Sequence, residues 1–253
     1  MKRLAVLLCT LASVSLAGPD NSLRPEGRPG TAQKEVTADT TISPSVQQNR
    51  EKGFWKSLRP VFRSPKAGKE ARQKQAALQA GSVCGDLSIQ GTVIGRVKAR
   101  IPECGIENAV SVSSVSGVQL SVKSTMDCGT AQALKTWVDS SAKPALSRKG
   151  GGLQQIKVAA HYACRRRNNA KTGKISEHGK GRAIDISAFR LADGSEITVL
   201  KGWNARSSSK ALRSMHAAAC GPFGTVLGPK ANRYHLDHFH FDTARYRSGS
   251  YCR

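Results

Sequence analysis

The sequence predicts an α+β fold, a single disulfide-stapled domain preceded by a disordered basic tether. Three observations carry that reading. Apolar, mostly β-branched residues alternate roughly from Val93 to Val122 and again from Ala183 to Phe189, which is the period of strands. Ala131, Leu134, Trp137 and Val138 recur at helical spacing and give one apolar stripe. Six cysteines, from Cys84 to Cys252, follow a leader of exported character.

That leader starts with Met1-Lys2-Arg3. An apolar run from Leu4 to Leu16 follows, too short to span a bilayer, and Ser15 and Ala17 supply a small-x-small end. It reads as a cleaved secretory signal over residues 1–17. Leu8 is too bulky for lipoprotein processing at Cys9, and nothing downstream is long and apolar enough to be a transmembrane helix. Cleavage removes Cys9 and leaves Cys84, Cys104, Cys128, Cys164, Cys220 and Cys252. No CxxC pair favours metal binding, so three disulfides and an oxidising compartment are expected, with the pairing left open.

Residues 18–80 read as the tether, polar and without apolar period. Phe54-Trp55 and Leu58 to Phe62 are islands flanked by Lys52, Lys56, Arg59 and Arg63, suited to a membrane surface, a wall polymer or local collapse. Lys69 to Gln79 suits a solvated helix. The folded domain is expected over residues 81–253. Its strands begin after Cys84, and Asp127 can cap the helix through Val138, with Pro144 marking its end. Ile156, Val158 and Ala160 suggest a further strand. Ala183 to Phe189 and Ile197 to Leu200 suggest two more, joined across Asp193-Gly194. Ser209 to Ala219 is a helix candidate carrying His216, and His238 to Asp242 alternates as a last strand.

All six histidines fall between His161 and His240, four of them in two short motifs. In the first, His178 and Asp185 lie seven apart, with Gly179 and Gly181 permitting a tight turn between them. In the second, His238 and His240 share one face of a strand, and His235 lies just before. An HxH pair alone is weak, since ordinary strands contain such pairs. HxH together with a separate HxxxxxxD is much stronger. Two imidazoles and a carboxylate around an open position are the ligands of a hydrolytic zinc.

The pattern Ser176, His178, Gly181, Ala183 and Asp185, followed by a terminal HxH, resembles the zinc peptidases of peptidoglycan. That group includes D-Ala-D-Ala carboxypeptidases, lysostaphin-like enzymes and murein endopeptidases. More closely, residues 84–253 resemble the extensin-like C-terminal domain of bacterial exported proteins. The matching stretches are Tyr162 to Asn169, Ile175 to Asp185, Leu191 to Gly194, His216 to Cys220, Phe223 to Pro229 and His235 to Arg253. The resemblance implies a small antiparallel sheet flanked by helices, carrying Zn2+ on His178, Asp185 and His240. It makes His238 the catalytic base and His235 an assisting residue, which as an imidazolium would donate to the oxyanion. The dipeptidase branch uses a glutamate about three residues before its ligand histidine. This chain has none there, which favours an endopeptidase acting on stem peptides in the periplasm.

Other residues carry weaker expectations. Arg165 or Arg167 can clamp a substrate carboxylate, or form a plain surface run. Ser176 can bond substrate or cap a turn. Asp237 and Asp242 read as strand-end carboxylates or partners of the ligands. His161, His216, Trp137 and Trp203 read as structural. Loss of Lys2 and Arg3 with the leader lowers the formal charge from +23 to +21. That field suits anionic cell-envelope polymer or a membrane surface. Nucleic acid is not expected, given export and few aromatic residues. A non-catalytic peptidoglycan-binding module keeping the same fold is the alternative function.

Overall fold

The computed structural model describes residues 65–246 and 248–253. The leader, the tether as far as residue 64 and its two basic-aromatic islands lie outside the described residues. Helix α1 (Pro65–Ala80) contains the stretch from Lys69 to Gln79 and is largely exposed. Gln90 Nε2 fastens its end by donating to the Leu78 carbonyl at 3.0 Å.

Strands β1 (Ser82–Val83), β2 (Asp86–Val97), β3 (Ile106–Val115) and β4 (Val118–Asp127) form an antiparallel meander. Ser116-Gly117 turns β3 into β4 with φ of 50° and 80°, the positive values that match the twist of paired strands. Alternation buries Val110, Val112, Val115, Val118, Leu120 and Met126 on one face. Helix α2 (Cys128–Trp137) then starts at Asp127, whose Oδ1 accepts from Thr130 N at 2.7 Å.

Pro144 does not end this helical stretch, contrary to expectation. A π turn over Val138–Ala142 leads without a break into α3 (Lys143–Leu146), with Pro144 in its first turn. The helices make the crossover that lets β5 (Leu153–Ala160) run parallel to β4.

Strands β6 (Ala183–Leu191) and β7 (Glu196–Thr198) pair antiparallel. Val199 and Leu200, expected in the second of these strands, instead begin helix α4 (Val199–Gly202). Thr198 Oγ1 accepts from Lys201 N and starts the helix there. Helix α5 (Ser209–Ala218), β8 (Thr225–Leu227), β9 (Phe239–Asp242) and β10 (Tyr251–Cys252) complete the chain.

The sheet is neither small nor wholly antiparallel. It has ten strands in the order β1-β2-β3-β4-β5-β6-β9-β8-β10, with β7 on β6, and it is parallel at β4/β5 and β8/β10. The meander enlarges it because its strands bury their apolar face beneath the same helices as β6 and β9.

Those helices cover one face only. Trp137, Leu134, Leu146, Leu212 and Met215 pack on Ile184, Ile186, Phe189, Phe239 and Phe241. Each fully buried phenylalanine contributes about 1.5–3 kcal/mol. Disulfides join Cys84–Cys128, Cys104–Cys164 and Cys220–Cys252, so all six predicted half-cystines are paired. With Ile184, Ile186, Phe239 and Phe241 turned inward, alternation turns Asp185 and His240 to the opposite face.

Candidate metal centre

Asp185 in β6 and His240 in β9 are direct cross-strand partners, which places their side chains side by side. His178 reaches them from the turn before β6. Ser176 Oγ caps that turn by accepting from His178 N at 3.4 Å. Gly181 closes it at φ 67°, and a Cβ there would strike Ile106. Gly179 is pressed against Cys104 and Ile175, where a Cβ would come within 2.9 Å of both.

The three side chains meet with His178 Nε2 3.2 Å from Asp185 Oδ1, and 3.2 Å from His240 Nδ1. His240 Nδ1 lies 2.9 Å from Asp185 Oδ1. An outer contact fixes the His178 tautomer. His178 Nδ1 donates to the His161 carbonyl at 2.8 Å, so Nε2 is a bare lone pair. His240 lies between two carboxylates, with Nε2 3.1 Å from Asp242 Oδ2 and Nδ1 2.9 Å from Asp185 Oδ1, so a proton carried on Nε2 leaves Nδ1 bare. In that tautomer two lone pairs and a carboxylate oxygen face one another. Such a triangle demands a cation. Ligands about 2.0–2.1 Å from a tetrahedral zinc are separated by about 3.3 Å, close to the three distances here. The donor set therefore fits Zn2+, with His178, Asp185 and His240 as the residues that would hold it.

Without a metal, a proton serves as that cation. Burial works against charge on His240, but hydrogen bonds to Asp185 and Asp242 overcome it and raise its pKa from 6.5 to about 9. Burial likewise opposes charge on Asp185, yet bonds to His178 and His240 hold its carboxyl well below the usual range. Because His240's pKa is raised on folding, its contribution to metal-free stability is complete below pH 6.5 and lost as pH climbs through about 9. A zinc ion entering the triangle must displace the same proton. Apparent zinc affinity is therefore expected to rise with pH up to about 9 and then level, with proton release in calorimetric titrations. Affinity independent of pH between 6.5 and 9 would exclude His240 as a ligand.

His238, expected within the last strand, immediately precedes β9. It still faces the cluster, with Nε2 3.7 Å from Asp185 Oδ2. Its Nδ1 donates to Asp237 Oδ1 at 2.8 Å, so Nε2 is free to accept a proton. His235 lies nearby, its ring tilted 5.2 Å from His238 and edge-on 5.7 Å from His240. Burial, then repulsion from His240 and His238, pushes its pKa down to about 4. His235 is accordingly neutral at neutral pH and is not the expected imidazolium. Asn232 Oδ1 already accepts from Tyr234 N at 2.9 Å, so it also accepts from His235 Nδ1 at 2.8 Å and leaves Nε2 bare.

A cleft of about 500 Å³ opens over the cluster. Arg165, Arg167 and Ser176 line it alongside His235, His238 and His240. Ser176 Oγ caps its turn through one accepted bond, and its hydroxyl can still donate toward the cleft. Arg167 lies 3.7 Å from the buried Glu177 carboxylate, which Lys180 also engages at 2.9 Å. Arg165 has no carboxylate partner among the described residues. The sequence offered little sign of Glu177, of Asn232 or of the His161 carbonyl. The His161 carbonyl acts through the main chain and Glu177 reaches Arg167 ten residues back, while Asn232, three before His235, carried a turn-capping signal.

Residues 84–253 match the family model described as Extensin-like protein C-terminus. The chain belongs to the extensin-like C-terminus family. No curated protein matches it, and no solved structure does. In this extensin-like chain the match begins at the first half-cystine, Cys84, and takes in all three disulfides, the histidine–aspartate cluster and the cleft.

Proposed function

We propose that this extensin-like domain is an exported zinc peptidase that hydrolyses peptide bonds of peptidoglycan in the periplasm. One observation supports it above the rest: the ligand atoms of His178, Asp185 and His240 converge at the floor of an open cleft, with a free histidine nitrogen beside them. The resemblance of its two motifs to murein zinc peptidases supplies the substrate class.

When bound, the ion supplies Lewis acidity, polarising a carbonyl and acidifying water. His238 Nε2 takes the proton of the attacking water and returns it to the leaving amine. Asp237 holds the His238 ring and stabilises the imidazolium formed in between. His235, neutral with Nε2 bare, accepts from a substrate N–H rather than donating to an oxyanion. Arg165 remains for a stem-peptide carboxylate, while Glu177 holds Arg167 at the rim. The strongly positive chain draws the enzyme to anionic envelope polymer or membrane surface.

Purified protein should bind one zinc and change the muropeptide profile of sacculi, and a chelator should stop it. His238→Ala should keep the zinc and lose about 10²–10⁴-fold in turnover. Stoichiometric zinc with an unchanged profile would overturn the peptidase reading and leave a wall-binding module.

A further inference from the structure

Three of the chain's four tyrosines, Tyr234, Tyr246 and Tyr251, line the cleft over the histidine–aspartate cluster. They are 51%, 41% and 48% exposed, large apolar faces left in water beside a polar site. Exposed rings lining one cleft suit a binding surface. Each ring is held in place. The Arg233 guanidinium sits 5.0 Å over Tyr234, and Arg253 sits 5.4 Å over Tyr251. Tyr246 Oη pairs with Thr225 Oγ1 at 3.1 Å. By contrast Trp137 and Trp203 are buried in the core and offer no platform.

Side-chain amides accompany the rings. Asn168 and Asn169 line the same cleft from the tip of the loop between β5 and β6. Both adopt φ of 54°, the left-handed conformation that asparagine tolerates. The loop is closed by the bridge between Arg166 and Ile175 and by the contact of Arg167 with Glu177.

We infer that the cleft binds a saccharide: the glycan strand of N-acetylated hexosamines, seated on Tyr234 and Tyr251 beside the bond to be cut. This deepens the proposed peptidoglycan activity and rests on that reading for its substrate. Apolar amino-acid side chains favour enclosed pockets, whereas these rings are half open. A pyranose offers a flat C–H face with a rim of hydroxyl and acetamido groups. Tyrosine answers with an apolar face and a polar tip at small entropic loss. Asparagine offers a donor and an acceptor to each acetamido group.

Calorimetric or NMR titration of the full chain with peptide-free N-acetylglucosamine oligomers tests this, since binding needs neither metal nor turnover. Wild type should bind alike with and without a chelator. Tyr234→Ala and Tyr251→Ala should each weaken binding about tenfold, while Tyr234→Phe and Tyr251→Phe retain it. Absent binding, or equal binding by the alanine variants, overturns the inference. A protein that cleaves stem peptides yet ignores the oligomer overturns this inference alone. One that binds the oligomer but cleaves nothing upholds it and overturns the peptidase.

Discussion

Asp185→Asn is expected to abolish zinc binding and turnover together while leaving a folded protein. The amide has the volume of the carboxylate and can donate to an imidazole nitrogen, at 2.9 Å and 3.2 Å in the native site. The metal-free fold loses the attraction between Asp185 and the His240 proton but keeps a hydrogen bond in its place and the Asp242 carboxylate beside His240. What vanishes is the negative charge that draws a divalent ion. Changing a residue that merely orients a ligand weakens metal binding by about 10–100-fold, and losing the anionic ligand itself should exceed that. The measurements are zinc content after dialysis, Tm with and without added zinc, and muropeptide release. Wild-type protein should gain stability from zinc by mass action, and the variant should gain none. A variant that still binds stoichiometric zinc would remove Asp185 from the ligand set.

Much of this site was legible because its residues follow local rules. Asp185 lies seven after His178 with Gly181 between, so turn chemistry pointed those two at one place, and period put His238 and His240 on one strand. The choice of His240 as the partner of Asp185 came from the resemblance, and the pairing of β6 with β9 is what joins the two motifs. The sheet's extent was less legible. Alternation marked β2, β3 and β4 as strands, but nothing local told that β4 would join β5 in parallel rather than close a separate layer. That choice belongs to the crossover through α2 and α3, where Pro144 starts a helix instead of stopping one. Charge states were the least legible. His235 resembles an imidazolium donor by position, but its burial against His240 and His238 makes it neutral, a consequence of packing that spacing cannot carry.

Trp137→Ala is expected to cause the largest loss of stability of any single core change. The ring is completely buried, 5.2 Å from Phe241 and 6.2 Å from Phe189, and its Nε1 donates to the Met215 carbonyl at 2.8 Å. It therefore ties α2 and α5 to the sheet. Truncation should cost about 3–5 kcal/mol for the lost contacts and the cavity. The orphaned Met215 carbonyl adds about 1–3 kcal/mol unless water reaches it. Tm should fall by about 10 °C or more. Trp137→Phe keeps most of the contact but loses the donor, so its loss should be smaller and dominated by that hydrogen bond. The same ring also stands behind the site. Phe241, which it contacts, lies in β9 between His240 and Asp242, so a cavity at Trp137 frees the strand that sets His240 against Asp185. Zinc affinity of Trp137→Ala should therefore drop as well, though less than in Asp185→Asn, because the ligands survive and only their registration loosens. Unchanged affinity in a destabilised Trp137→Ala protein would mean that the cross-strand hydrogen bonds of β6 and β9 hold the triad without help from the core.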